Sequence, residues 1–194
     1  MKTVRIVLQK TVSERNVDAA AWDNDWSLIK TIKADENTPH EVIWQDSFEN
    51  FNIHYIEDFY VGIAYLVLRG DELDSVIEDI RTKLPTYTED DIFKMLENYK
   101  DDQDNLIKAI YYLGLIAPQQ FSPLFFNLFK DVLSHKEPIV RSAVISAIGY
   151  VGWQAFKDLL EPLQNSDPNP EVRSYASVML SGFELYAPDT VIAS

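Results

Sequence analysis

The sequence predicts an α+β protein: a small β-rich region over residues 1–85, followed by an all-α region of about three helical hairpins over residues 86–194. Three observations predict it. The hydrophobic pattern is short and strand-like up to about residue 70, and turns helical from Asp71 onward. The second half repeats itself at an offset of 32 residues. Hydrophobic residues make up 46% of the 194, so the chain can bury a core and is not compositionally disordered.

In the first region, Thr3–Leu8 begins with β-branched residues and reads as a strand. Ser13–Asp25 is polar around Trp22 and reads as a loop or a short helix. Asp35–Pro39 is turn chemistry. Glu41–Trp44 is a second short strand, and Phe51–Ile56 alternates as a third. Glu57-Asp58 reads as the hairpin turn before Tyr60–Leu68, a nearly continuous apolar run suited to a central strand. Gly70-Asp71 ends that strand. Leu73, Val76, Ile77, Ile80 and Leu84 then mark one helix face, which Pro85 stops. Thr88 opens the next helix with Asp91 three residues on, in the manner of a capping box. Its apolar face is Ile92, Met95, Leu96 and Tyr99.

The repeat is the most specific signal. Glu137-Pro138-Ile139-Val140-Arg141-Ser142-Ala143 returns as Asn169-Pro170-Glu171-Val172-Arg173-Ser174-Tyr175-Ala176. An amphipathic helix precedes each copy: Phe121, Leu124, Phe125, Leu128, Phe129, Val132 and Leu133 in one, and Trp153, Phe156, Leu159, Leu160 and Leu163 in the other. Leu106–Gly114 is an earlier copy, up to a one-residue gap, preceded by the helix from Thr88. The hairpins span roughly 88–116, 120–151 and 153–183. Pro138 and Pro170 fit a first helical turn, where a missing N–H costs nothing. Ala143, Ala147 and Gly149 are small enough to let a neighbouring helix approach closely.

This Pro-x-Val-Arg-x-Ala signature resembles the HEAT-repeat family, over about half of the chain. The resemblance implies stacked hairpins whose second helices line a concave protein-binding face. It also implies an Asp–Arg ladder between repeats. Asp167 fits the ladder, but His135 stands at the matching position one repeat earlier. The order of the N-terminal segments, His54–Asp58, Gly62 and Tyr65–Val67 before the three hairpins, is similar to that of uncharacterised bacterial proteins with a small α/β head and a HEAT-like tail. That likeness implies architecture alone.

Formal net charge is −14, from 17 basic and 31 acidic residues, and the basic residues form no run. This argues against nucleic acid as a partner and favours a basic protein; acidity also serves solubility. There is no cysteine, hence no disulfide framework or thiolate metal site. Arg5 interrupts the opening apolar stretch, so it does not read as a signal peptide, and no run approaches the ~20 apolar residues of a membrane helix. The expected location is cytoplasmic.

Catalysis has no supported candidate. His40, His54 and His135 lack metal-site spacing, and no cofactor loop or nucleophile elbow occurs. The carboxylates of Glu89-Asp90-Asp91 and of Asp101, Asp102 and Asp104 sit at helix starts, where the dipole favours them. Two sets remain as candidate partner-binding residues. Arg141 and Arg173 either bridge repeats or line the concave face. Tyr111, Tyr112, Tyr150 and Trp153 gather near second-helix ends, and the adjacent Tyr111 and Tyr112 lie ~100° apart, so both cannot point to one centre.

The expectation is a non-catalytic protein-interaction module, possessing no cofactor or metal, with an immunity or regulatory role as one form. Alternatives are an enzyme of the HEAT-like bilin lyase type, implied by the resemblance, and a structural subunit of a larger assembly. The DNA glycosylases of that family need a basic groove that this charge balance opposes.

Overall fold

A computed structural model describes residues 1–185. The chain divides into two compact units, Met1–Asp91 and Ile92–Ser194. The architecture is α+β: an antiparallel sheet at the N-terminus, then helices.

The first unit comprises β1 (Lys2–Val7), α1 (Glu14–Asp23), β2 (Ser27–Ile32), β3 (His40–Gln45), β4 (Phe51–Asp58), β5 (Ile63–Gly70) and α2 (Asp74–Lys83). Strands β2 to β5 form a meander and β1 returns beside β5, giving the order β1-β5-β4-β3-β2, antiparallel throughout. Alternation places Ile6, Val42, Trp44, Ile53, Tyr55, Leu66 and Leu68 on one face. They form a single core with Val17, Ala20 and Ala21 of α1 and Val76 and Ile80 of α2. Trp26 adds an edge-to-face contact on Phe51. The opposite face carries Val7, His54, Tyr65 and Val67, all buried. There the ring Nδ1 of His54 lies 2.6 Å from Glu41 Oε1 on the neighbouring strand. Burial, aided by the nearby Asp58 charge, pushes the Tyr65 hydroxyl up to about 12.

One local reading of the sequence is decided here between its two alternatives, and two others change. Ser13–Asp25 is helical over α1; Ser13 caps it, with its backbone N–H donating to Asn16 Oδ1 at 2.9 Å. The hairpin turn is at residues 59–62, not at Glu57-Asp58. Both acids belong to β4 because each finds a donor: Tyr55 Oη donates to Glu57 at 2.7 Å, and the Tyr60 N–H to Asp58 at 3.0 Å. Gly62 closes the turn at φ +65, a conformation that favours glycine, with its N–H on the Asp58 carbonyl at 2.8 Å. The apolar run therefore enters the sheet at Ile63, not Tyr60. Finally, β2 is a strand that the hydrophobic pattern does not announce. A bulge lies between Leu28 and Lys30, so Leu28 and Ile29 break the two-residue period that marks a strand.

Pro85 ends α2, yet the segment after it stays with the sheet. The Gln9 N–H donates to the Pro85 carbonyl at 3.0 Å, the Tyr87 N–H to the Val7 carbonyl at 3.0 Å, and Leu8 bridges Thr86. The Val7 end of β1 is thus capped by residues 85–87.

The helices that follow are α3 (Glu89–Asn98), α4 (Gln103–Ile116), α5 (Pro123–Leu133), α6 (Pro138–Val151), a 3-10 turn (Gln154–Phe156), α7 (Lys157–Ser166) and α8 (Pro170–Leu185). Thr88 and Asp91 form the reciprocal cap: the Thr88 N–H donates to the carboxylate at 2.9 Å, and the Asp91 N–H donates to Thr88 Oγ1 at 3.2 Å. Pro138 sits in the first turn of α6, and α8 opens at Pro170. Packing follows a regular rule. Helix α5 lies on α6 and α7 on α8, while α4 packs on α6 and α6 on α8. The second helices therefore stand side by side in chain order. The α4–α6 approach is tight at Gly114, where a Cβ would lie 2.8 Å from the Ala147 carbonyl oxygen. The buried stripe of α5 is narrower than its sequence implies: Phe125, Phe129 and Leu133 are buried, whereas Phe121 and Leu124 are exposed.

Candidate functional site

The repeated arginines meet at Asp167, the residue that ends α7. Its carboxylate first organises its own turn, accepting the Asn169 N–H at 2.9 Å. It then takes Arg141 in a bidentate pair, Nε to Oδ2 and Nη2 to Oδ1, each at 2.7 Å. Arg141 Nη1 donates to the carbonyls of His135 at 2.8 Å and Lys136 at 3.0 Å. The two side chains are 8% and 3% exposed, so this is a buried, fully engaged joint. The Arg141 hydrogen bond holds the Asp167 carboxyl below the usual carboxylate range, against the desolvation that would raise it. Arg173 is half-buried and donates to the Asp167 carbonyl at 2.6 Å. Both arginines thus grip the chain itself at one turn.

The matching turn one repeat earlier is built with histidine. His135 Nδ1 accepts the Glu137 N–H at 3.2 Å, as Asp167 Oδ1 accepts that of Asn169. Its Nε2 lies 3.3 Å from the Lys100 carbonyl. These partners assign the proton to Nε2. The ring reproduces the turn contact of the carboxylate and replaces its arginine rung with a link to a backbone oxygen.

The aromatic candidates separate. Trp153 is buried, stacked on Phe156 with centroids 5.4 Å apart, and its Nε1 donates to the Gln119 carbonyl at 3.1 Å. Tyr112 is buried, while Tyr111 and Tyr150 are half-buried on the neighbouring helices α4 and α6. Tyr111 and Tyr112 thus differ in burial, in keeping with their angular separation on the helix.

More exposed than any of these are three residues that the sequence reading passed over: Ile139 at 53%, Tyr175 at 52% and Val178 at 69%. The repeat alignment held a signal for Tyr175. It stands where the previous repeat has Ala143, which is buried. Helix α6 has neighbours in both α4 and α8, whereas the principal contacts of α8 are with α6 and α7. A position that demands a small residue inside the row can carry an aromatic at its end.

Two of the clefts among the described residues contain polar groups. One, of ≈ 430 Å³ in the sheet unit, is lined by Ser13, His40, Tyr55, Glu57 and Asp58 with apolar neighbours. Its groups pair with one another or with the chain: His40 Nε2 lies 2.9 Å from Glu14, and Tyr55 donates to Glu57. Burial first, and the Glu57 hydrogen bond second, push the Tyr55 hydroxyl far above its usual range, which removes it as a base. The other, of ≈ 500 Å³ in the helical unit, lies beside His135, Lys136, Lys100 and Asp131. Among the described residues no cluster of three or more His, Asp or Glu is placed to hold a metal ion, and no helix is long and apolar enough to cross a membrane. The chain matches no family model, no curated protein and no solved structure.

Proposed function

We propose that this chain is a non-catalytic protein-interaction module that binds a basic protein through the row of second helices of a short HEAT-like stack. One observation carries the reading: α4, α6 and α8 stand side by side, and the outer positions of α6 and α8 expose Ile139, Tyr175 and Val178. From Val172 to Phe183, Arg173 is the one charged residue, so this stretch of α8 offers uncharged contact area in a chain of net charge −14. Exposed aromatic and apolar side chains on a rigid scaffold are the composition of binding hot spots.

The charge has its own location. Residues 1–91 hold 19 acidic and 9 basic residues, and residues 92–194 hold 12 and 8. Electrostatic attraction for a basic partner is therefore concentrated in the sheet unit, where it raises the encounter rate. The short-range contacts are assigned to α6 and α8. Immunity or regulation would each be served by such a module.

The test is affinity capture from the source cells with quantitative mass spectrometry. A stoichiometric basic partner is expected, with capture reduced about tenfold by Tyr175→Ser combined with Val178→Ser. Both positions are exposed, so the thermal midpoint should stay within the small range of surface substitutions. Undiminished capture by this variant would remove the row of second helices as the binding face.

A further inference from the structure

The two edges of the sheet are treated differently. The Val7 end of β1 is capped by residues 85–87 through the hydrogen bonds described above. The outer side of β2 is paired with no strand among the described residues, and five of its six residues are exposed. An open strand edge presents a row of backbone donors and acceptors that a further strand can complete. This one also bears apolar side chains, with Leu28 at 59% and Ile29 at 55% exposure. Trp22, in the last turn of α1, and Phe48, between β3 and β4, are each 84% exposed. The turn after α1, which leads into β2, and the β3–β4 turn are joined by Ser47 Oγ donating to the Asp25 carbonyl at 2.9 Å.

We infer that the β2 edge is a strand-addition site for an extended, acidic segment of a partner protein. Charge selects the occupant. Lys30 and Lys33 are the only charged residues between Trp26 and Ala34, in a unit otherwise rich in acid. A second copy of this chain would set lysine against lysine across the new pairing and bring two strongly acidic units together, which cross-strand like charge disfavours. A basic strand meets the same lysines. An acidic strand complements Lys30, while its apolar alternates extend the surface of Leu28 on the other face. Backbone pairing then supplies affinity, and the alternating side chains supply selectivity. The residues of this edge are not those of α6 and α8, so its test stands apart from that of the stack.

The experiment uses the full chain and two synthetic peptides, one of alternating valine and glutamate and one of alternating valine and lysine. Amide hydrogen exchange is followed at Ser27–Ile32 together with binding by fluorescence anisotropy. The acidic peptide is expected to slow exchange at the β2 amides that face away from β3. It should bind severalfold more tightly than the basic one, because the acidic peptide sets opposite charge against Lys30 where the basic one sets like charge. Lys30→Glu with Lys33→Glu lies on the exposed surface and should invert that preference. Equal binding of the two peptides, protection elsewhere than β2, or no binding of the acidic peptide would overturn the proposal. So would a concentration-dependent dimer that protects the same amides without peptide, since the occupant would then be a second copy.

Discussion

Asp167→Ala is expected to destabilise the helical unit by about 3 to 5 kcal/mol, the usual cost of removing one partner of a buried ion pair. The reason is what stays behind. Arg141 keeps its charge, loses both carboxylate bonds and remains 6% exposed with the His135 and Lys136 carbonyls as its acceptors. The Asn169 N–H loses its acceptor as well, so the turn leading into α8 loosens with the joint. Asp167→Asn should cost less, because the amide oxygen still accepts one of these bonds. Exchanging both partners for Arg141→Met and Asp167→Leu should recover only part of the loss, since the two carbonyls would then lack a donor. Urea unfolding followed by circular dichroism measures all three variants; a shift under 1 kcal/mol for Asp167→Ala would refute the assignment.

The same joint sets a pH dependence. The Asp167 carboxyl is held below its ordinary value of 3.8 by the Arg141 hydrogen bond. On acidification the unfolded chain takes up this proton before the folded one does. The stabilisation is therefore fully present above 3.8 and is lost as pH falls through the lower folded value. The stability gap between the natural chain and Asp167→Asn should be constant near neutrality and shrink below that point.

How far the sequence revealed this site depends on what each residue type encodes. The change of period at Asp71, the two prolines and the Thr88 cap are local signals, and the structure contains each element they imply. Asp167 was visible as one half of a rung, and His135 as a break in the ladder. The other half of the rung was not assignable, because a repeated arginine looks the same whether it faces solvent or a neighbouring turn. Burial decides between these, and burial depends on which helix comes next. The same holds for Tyr175, whose exposure follows from its place at the end of the row. Strand β2 was hidden for a different reason: the bulge at Ile29 removes the alternation, and nearly every side chain is exposed, so no buried face leaves a pattern. Glu57 and Asp58 looked like a turn because charge at a strand end is ordinarily solvated. Here Tyr55 and the Tyr60 backbone supply the donors that let two acids continue a strand.

Gly114 carries the largest packing prediction, and it is one of sign as well as size. A Cβ on Gly114 would meet the Ala147 carbonyl oxygen at 2.8 Å, its Cβ at 3.1 Å and its Cα at 3.2 Å. These are backbone or Cβ atoms, so no flexible side chain can swing aside and the two helices must part. Overpacking of this kind costs ~1–3 kcal/mol, set against a gain of ~1 kcal/mol from replacing glycine in a helix. Gly114→Ala should therefore be mildly destabilising. Gly114→Val adds a branched side chain to the same contact and should cost about 3 kcal/mol, with the α4–α6 interface lost first. Gly182 is the control within the same unit. It is helical, and a Cβ there would have nothing within 4 Å among the described residues, so Gly182→Ala should stabilise by ~0.5–1 kcal/mol through the backbone term alone. Thermal melts of the three variants separate the two causes. If Gly114→Ala and Gly182→Ala both raise the midpoint, helix propensity governs and the row is not close-packed at Gly114. Opposite shifts mean that α4 and α6 are in backbone contact, which makes the spacing of the second helices a fixed property of the scaffold that presents Tyr175 and Val178.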